Sequence, residues 1–241
     1  MKISMTKADL SNVVLQRTGP FLKLGGGGAL NHWLKTGERW QLAGFLSAAG
    51  KVDAFISAVI SEVSREFELI GPHITAIAPQ TIVSVGPGAG FLEYMIYKAI
   101  PARLVLIDIE QSSEHRHGFA QRGSGYSRLA SCRDFLISNG VKPEHVETCN
   151  PCHEPLPTAG FDILISLFSM GFHYPCDEYA TFVRAGLRKG GLLIFDKRID
   201  GEDPGWKELE PLFDVVVRME SIKSQRMILS RNGAMFGQMM A

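Results

Sequence analysis

From Thr81 onward, short apolar runs alternate with stretches of helical periodicity. Residues 81–86 (TIVSVG), 103–108 (RLVLID), 161–168 (FDILISLF) and 191–196 (GLLIFD) have the length and aliphatic make-up of strands buried on both faces. Between them, 91–100, 127–139 and 177–187 carry apolar residues at helical spacing, and a weaker strand, 145–149 (HVETC), fits before Phe161. Alternation at this spacing implies right-handed crossovers and a parallel sheet. The end of the chain differs. Residues 212–219 and 225–230 read as two strands joined by a turn too short for a helix, which forces an antiparallel pair.

The first part of the chain has another character. Apolar residues are scattered over 10–24, and four glycines, Gly25 to Gly28, then interrupt any regular element as a hinge or a close backbone approach. Over 38–70, Phe45, Ala49, Val52, Phe55, Ile56, Val59, Ile60 and Val63 recur at spacings of three and four, one face of a helix. Gly44 and Gly50 place a joint in its first third, and Gly71-Pro72 is expected to end it. The chain therefore divides into an N-terminal helical extension, 1–78, and an α/β domain, 79–241. The apolar stripe of the extension suits a cap over a pocket or a homodimer contact.

Composition narrows the classes of function. Twenty-five basic residues balance 25 acidic ones in 241, which disfavours a nucleic-acid partner, since that needs a basic surplus. No apolar run reaches the roughly 18–20 residues of a membrane span. The first sixteen residues are broken by Asp9, Ser11 and Asn12, unlike a secretory signal, so a cytoplasmic location is expected. Four cysteines are too few for a disulfide scaffold.

The first strand runs into Gly86-Pro87-Gly88-Ala89-Gly90-Phe91. A glycine turn between strand and helix lets a ligand approach the backbone and meet the free N–H groups of the helix start. A pyrophosphate-binding turn needs a small residue at 91, where Phe91 stands, so a nicotinamide-dependent oxidoreductase is the weaker reading. The second strand ends at Asp108, where a carboxylate can accept both hydroxyls of a ribose, with Glu110 as the fallback. GPGAG, LIDIE, FDILISLF and LRKGGLLIFD, in this order, resemble the successive motifs of class I S-adenosylmethionine-dependent methyltransferases, over about residues 81–231. The resemblance implies a Rossmann-like seven-stranded, mostly parallel sheet with an antiparallel last strand. It also implies S-adenosyl-L-methionine as methyl donor and S-adenosyl-L-homocysteine as product. Carried over residue by residue, the cofactor would meet Gly86, Pro87, Gly88, Gly90, Asp108, Ile109, Asn150 and Ser166. One position departs: the family has an acid two residues before the first glycine, where it helps order the cofactor's amino group, and here stands Ser84.

After the fourth strand comes SLFSMGFHYP, which resembles sugar O-methyltransferases over a short stretch. In the family this loop meets the methyl acceptor, so Ser169, Met170, Phe172 and Tyr174 are candidate substrate contacts. An oxygen acceptor needs a base, and His173 is the candidate. The expected function is methyl transfer to a small molecule, with a non-catalytic binding module as a further alternative that Ser84 favours. Two features carry less. Cys149-Asn150-Pro151-Cys152-His153 has the spacing of a haem-attachment or half-zinc motif, but no export signal and no second cysteine pair accompany it. The polar stretch 111–126, with His115 and His117, is long for a loop and is a candidate lid. No metal site is expected.

Overall fold

The computed structural model describes residues 1–110, 125–199 and 203–232. Five helices come first: α1 (Lys7–Gln16), α2 (Thr18–Lys23), α3 (Gly27–Thr36), α4 (Trp40–Ala48) and α5 (Val52–Ile77). Thr6 starts α1 with a reciprocal cap, its hydroxyl accepting from Asp9 N while the Asp9 carboxylate accepts from Thr6 N. Then β1 (Thr81–Val85), α6 (Phe91–Ala99), β2 (Arg103–Ile107), α7 (Leu129–Ser138), β3 (Val146–Cys149), β4 (Phe161–Ser166), α8 (Asp177–Gly186) and β5 (Leu187–Arg198) alternate. The short α9 (Pro204–Leu209) leads into β6 (Phe213–Glu220) and β7 (Ser224–Arg231).

The seven strands form one sheet in the order β3-β2-β1-β4-β5-β7-β6. The first five are parallel, and β7 slots antiparallel between β5 and β6. Strand period sorts side chains between the two faces. Ile82, Leu104, Leu106, Ile163, Ile165, Leu192, Ile194 and Ile228 join one buried cluster with α1 to α7. Val83, Val105, Ile107, Leu164, Leu193, Phe195 and Leu229 join a second with α8 and α9. The N-terminal helices thus share a continuous core with one face of the sheet. No single helix among the described residues is long and apolar enough to cross a membrane.

The helical region departs from its sequence pattern twice. Gly71-Pro72 does not end α5, which runs on to Ile77. An interior proline costs about 3 kcal/mol, but Ile70 and Ile74 on either side of it are fully buried. Burial of two such side chains is worth about 1.5–3 kcal/mol each, which outweighs the break. The glycine run is not wholly irregular either. Gly27 and Gly28 begin α3, which Leu30 and Trp33 anchor in the core. The close approach is at Gly26, where an added Cβ would lie 2.3 Å from the Phe21 ring. The joint at Gly50 is real: α4 and α5 meet there at 113°.

Candidate functional site

Strands β1, β2 and β4 deliver their C-terminal ends to one cleft, at the place where the order turns from β2 on one side of β1 to β4 on the other. Connections leave this point in opposite directions, and the gap between them receives ligands in open α/β sheets. The cleft is lined by Leu15, Gln16 and Arg17, by Gly86 to Gly88, by Asp108 and Ile109, by 125–127, and by Leu167 to Ser169 with His173 and Tyr174.

The glycine turn forms the floor. Gly86 and Gly88 have φ of +74° and +60°, a region that side chains with a Cβ enter at a cost of about 1–2 kcal/mol. Space is short as well: a Cβ on Gly86 would lie 2.4 Å from Ser169 Oγ, and one on Gly88 2.6 Å from Gln16 Oε1. Gly90 does not face the cleft. It starts α6 in the left-handed region, and a Cβ there would meet Cys132 Sγ at 2.8 Å, so it lets α6 close on α7. Phe91 is buried against Phe135, ring centroids 5.2 Å apart, and fills the place where a dinucleotide turn needs a small residue.

Asp108 stands at the tip of β2, facing the cleft. Its Oδ1 accepts from Glu110 N at 2.7 Å. Burial pushes its pKa up to about 6, against the neighbouring Ser127 hydroxyl and the Glu110 N–H, which favour the charged form. Ser127 Oγ lines the same cleft, is buried, and completes no hydrogen bond of proper geometry among the described residues. Glu110 is no substitute for Asp108. It turns away with φ of +60°, one oxygen capping α7 at Leu129 N and the other accepting from Asn150 Nδ2. This bond also accounts for Asn150. With Nδ2 held by Glu110 and Oδ1 accepting from Cys152 N, its amide is spent on the loop after β3 and does not line the cleft.

The loop after β4 forms the opposite wall. Ser169 Oγ and Tyr174 Oη lie 3.0 Å apart, and burial holds the Tyr174 phenol well above its ordinary pKa. His173 lines the cleft, its backbone N donating to Ser169 O at 2.9 Å. Phe172 lies behind it, edge-on at 4.9 Å, and does not line the cleft. Met170 and Ser166 do not either: Met170 is fully buried in the second cluster, and Ser166 Oγ accepts from Met170 N to close the turn. Phe168, unremarked in the sequence pattern, has φ of +56°. Its N donates to Asp196 Oδ2, and two guanidinium groups lie over its ring, Arg17 at 5.7 Å and Arg226 at 5.5 Å from the centroid.

Those cations belong to an ionic chain that is half-buried at Arg17 and Glu66 and buried at Arg226 and Asp196. Arg17 makes two bonds to Glu66 of α5, at 2.6 and 2.8 Å, and Arg226 of β7 makes two to Asp196 of β5, at 2.9 and 2.8 Å. Arg226 also lies 3.9 Å from Glu66. The segment after α1 is thereby tied to the sheet and supplies one wall of the cleft, and Gln16 donates to Tyr126 O across it. Close to this chain, Ser84 Oγ donates to Glu93 Oε1 at 2.6 Å, with both residues buried. Burial pushes Glu93 up to about 7.

In the Cys149 to His153 stretch, Cys149 is buried, its thiol pushed up to about 11 by burial, and Cys152 is exposed. Among the described residues no three metal-ligating side chains converge. The candidate lid with His115 and His117 lies, but for 125 and 126, outside the described residues.

No family model matches the chain, and no curated protein matches it. Solved structures do. N-methyltransferase NodS from Bradyrhizobium japonicum WM9, in complex with S-adenosyl-L-homocysteine, superposes with a TM-score of 0.50 at 14% identity, over 70% of this chain and 87% of NodS. Ribosomal protein L11 methylase from Lactobacillus delbrueckii subsp. bulgaricus gives 0.47 at 16% identity, over 64% and 71% of the two chains. O-methyltransferase TomG from Streptomyces achromogenes gives 0.45 at 17%, over 73% and 89%. The chain shares its fold with NodS.

Proposed function

We propose that the chain is an S-adenosylmethionine-dependent methyltransferase acting on the oxygen of a small-molecule acceptor. One observation carries the reading: a desolvated carboxylate, Asp108, and a glycine turn, Gly86-Pro87-Gly88, share one cleft at the strand ends of this fold. The complex of NodS with S-adenosyl-L-homocysteine supports the same class of ligand.

The cleft fits such a ligand. Asp108 can accept the ribose hydroxyls, and Ser127 Oγ beside it is a buried group that can donate and accept. Gly86 and Gly88 let the amino-acid portion approach the backbone of the turn, between Gln16 and Ser169, and Ile109 offers an apolar edge to the base. When bound, the cofactor supplies a methyl group on a positive sulfur, open to in-line displacement. The protein's part is then to align the acceptor and exclude water. Phe168, held by Asp196 and two arginines, and the Ser169–Tyr174 pair shape the acceptor wall. His173, which lines the cleft, would take the acceptor's hydroxyl proton on a ring nitrogen.

Calorimetric titration with S-adenosylmethionine and S-adenosyl-L-homocysteine tests the reading. Saturable heat with both is expected, and none with either overturns it. In an active preparation, His173→Ala should lower turnover by about 100-fold or more and leave the cofactor dissociation constant within about twofold. Unchanged turnover removes His173 from the proton-transfer role.

A further inference from the structure

Ser84 and Glu93 stand at the two ends of the glycine turn, one on the last turn-facing position of β1 and the other in the first turn of α6. Their 2.6 Å bond closes the base of that turn. Glu93 is 3% exposed, yet its second oxygen, Oε2, has no hydrogen-bond partner among the described residues. An acid buried with half its bonding capacity open costs stability, and such a cost persists where function needs the group. The surroundings explain why the charge is not already neutralised. Arg17, from the segment after α1, faces Glu93 but is engaged in two bonds by Glu66 of α5, and Cys132 of α7 brings a thiol.

We propose that Glu93 supplies, from α6 and through Ser84, the negative charge that β1 lacks at position 84, and positions the glycine turn for the ammonium end of the cofactor's amino-acid moiety. The inference rests on the methyltransferase reading. It makes Ser84 a relay to a displaced acid and not a sign of lost function. Burial keeps this carboxyl near its midpoint at neutral pH, so a nearby cation draws it into the charged form.

The test compares two probes by calorimetry at pH 7.5. S-adenosyl-L-homocysteine carries the ammonium group. 5′-Methylthioadenosine keeps the nucleoside and the thioether but has no amino-acid end. Glu93→Gln keeps the volume and an oxygen for the Ser84 hydroxyl. It should weaken S-adenosyl-L-homocysteine by about tenfold or more, the worth of a charge-assisted contact, and change methylthioadenosine by less than about twofold. Ser84→Asp in the Glu93→Gln background should recover most of the lost affinity. Equal weakening of both probes means a purely structural role and overturns the proposal, as does unchanged affinity for S-adenosyl-L-homocysteine. If the wild type binds neither probe, the cofactor reading itself fails and this inference falls with it, a result distinct from a loss confined to the variant.

Discussion

Replacing Glu93 by Gln should stabilise the ligand-free protein, and should do so only above a definite pH. Glu93 is raised from 4.5 to about 7 by burial. Its folded state therefore binds a proton more tightly than the unfolded chain does. Its contribution to stability is fully present below pH 4.5 and is lost as pH rises through about 7. At 1.36 kcal/mol per pKa unit, the penalty at pH 8 is about 3 kcal/mol. Glutamine escapes it, but returns part of the gain because its amide N–H2 takes the place of an unpartnered oxygen. A net stabilisation of about 1–3 kcal/mol remains, which for a chain of this size raises Tm by about 2–12 °C. The assay is urea denaturation and calorimetry of both proteins at pH 8 and pH 4.5. A gain at pH 8 that vanishes at pH 4.5 is the expected pattern. Equal stability at pH 8, or a variant less stable than wild type there, would refute the reasoning, because Glu93 would then be a charged and well-paired side chain.

Asp108, raised to about 6, gives a second pH signature. A carboxylate accepts two hydroxyls where the neutral acid accepts less well, so affinity for S-adenosyl-L-homocysteine should fall about tenfold per pH unit below about 6. Titrations from pH 5 to pH 8 check this, and Asp108→Asn should flatten the profile. Gly86→Ala should destabilise by about 1–3 kcal/mol, from a strained φ and the approach to Ser169. Ser169→Gly in that background should restore part of the loss in thermal melts. Arg226→Met leaves Asp196 buried without its cation and should cost about 3–5 kcal/mol, read as a lower urea midpoint.

The parallel sheet was legible because its strands are buried on both faces, which forces uninterrupted apolar runs with glycine turns at their ends. Asp108 and the glycine turn were legible because a strand end and a strand-to-helix turn are local features. What escaped the sequence depends on distance along the chain. Nothing near Arg17 announces Glu66, 49 residues on, and nothing in FDILISLF shows that Phe168 is held by Asp196 and Arg226. Asn150 illustrates the opposite failure. Its amide chemistry suits a base edge, but Glu110 reaches it first. Gly71-Pro72 misled because local propensity is a weak term beside the burial of Ile70 and Ile74. Ser84 reads as a missing acid until the first turn of the next helix folds back and places Glu93 against it.

The position of β7 has a consequence for synthesis. The strand that fills the gap between β5 and β6 follows both of them along the chain. Until it arrives, β5 presents an open apolar edge, of the kind that pairs with neighbouring polypeptides. Arg226 arrives with it, so the stretch around Phe168 stays unlatched until β7 is in place. A message cut short before codon 224 therefore yields a sticky, unlatched product.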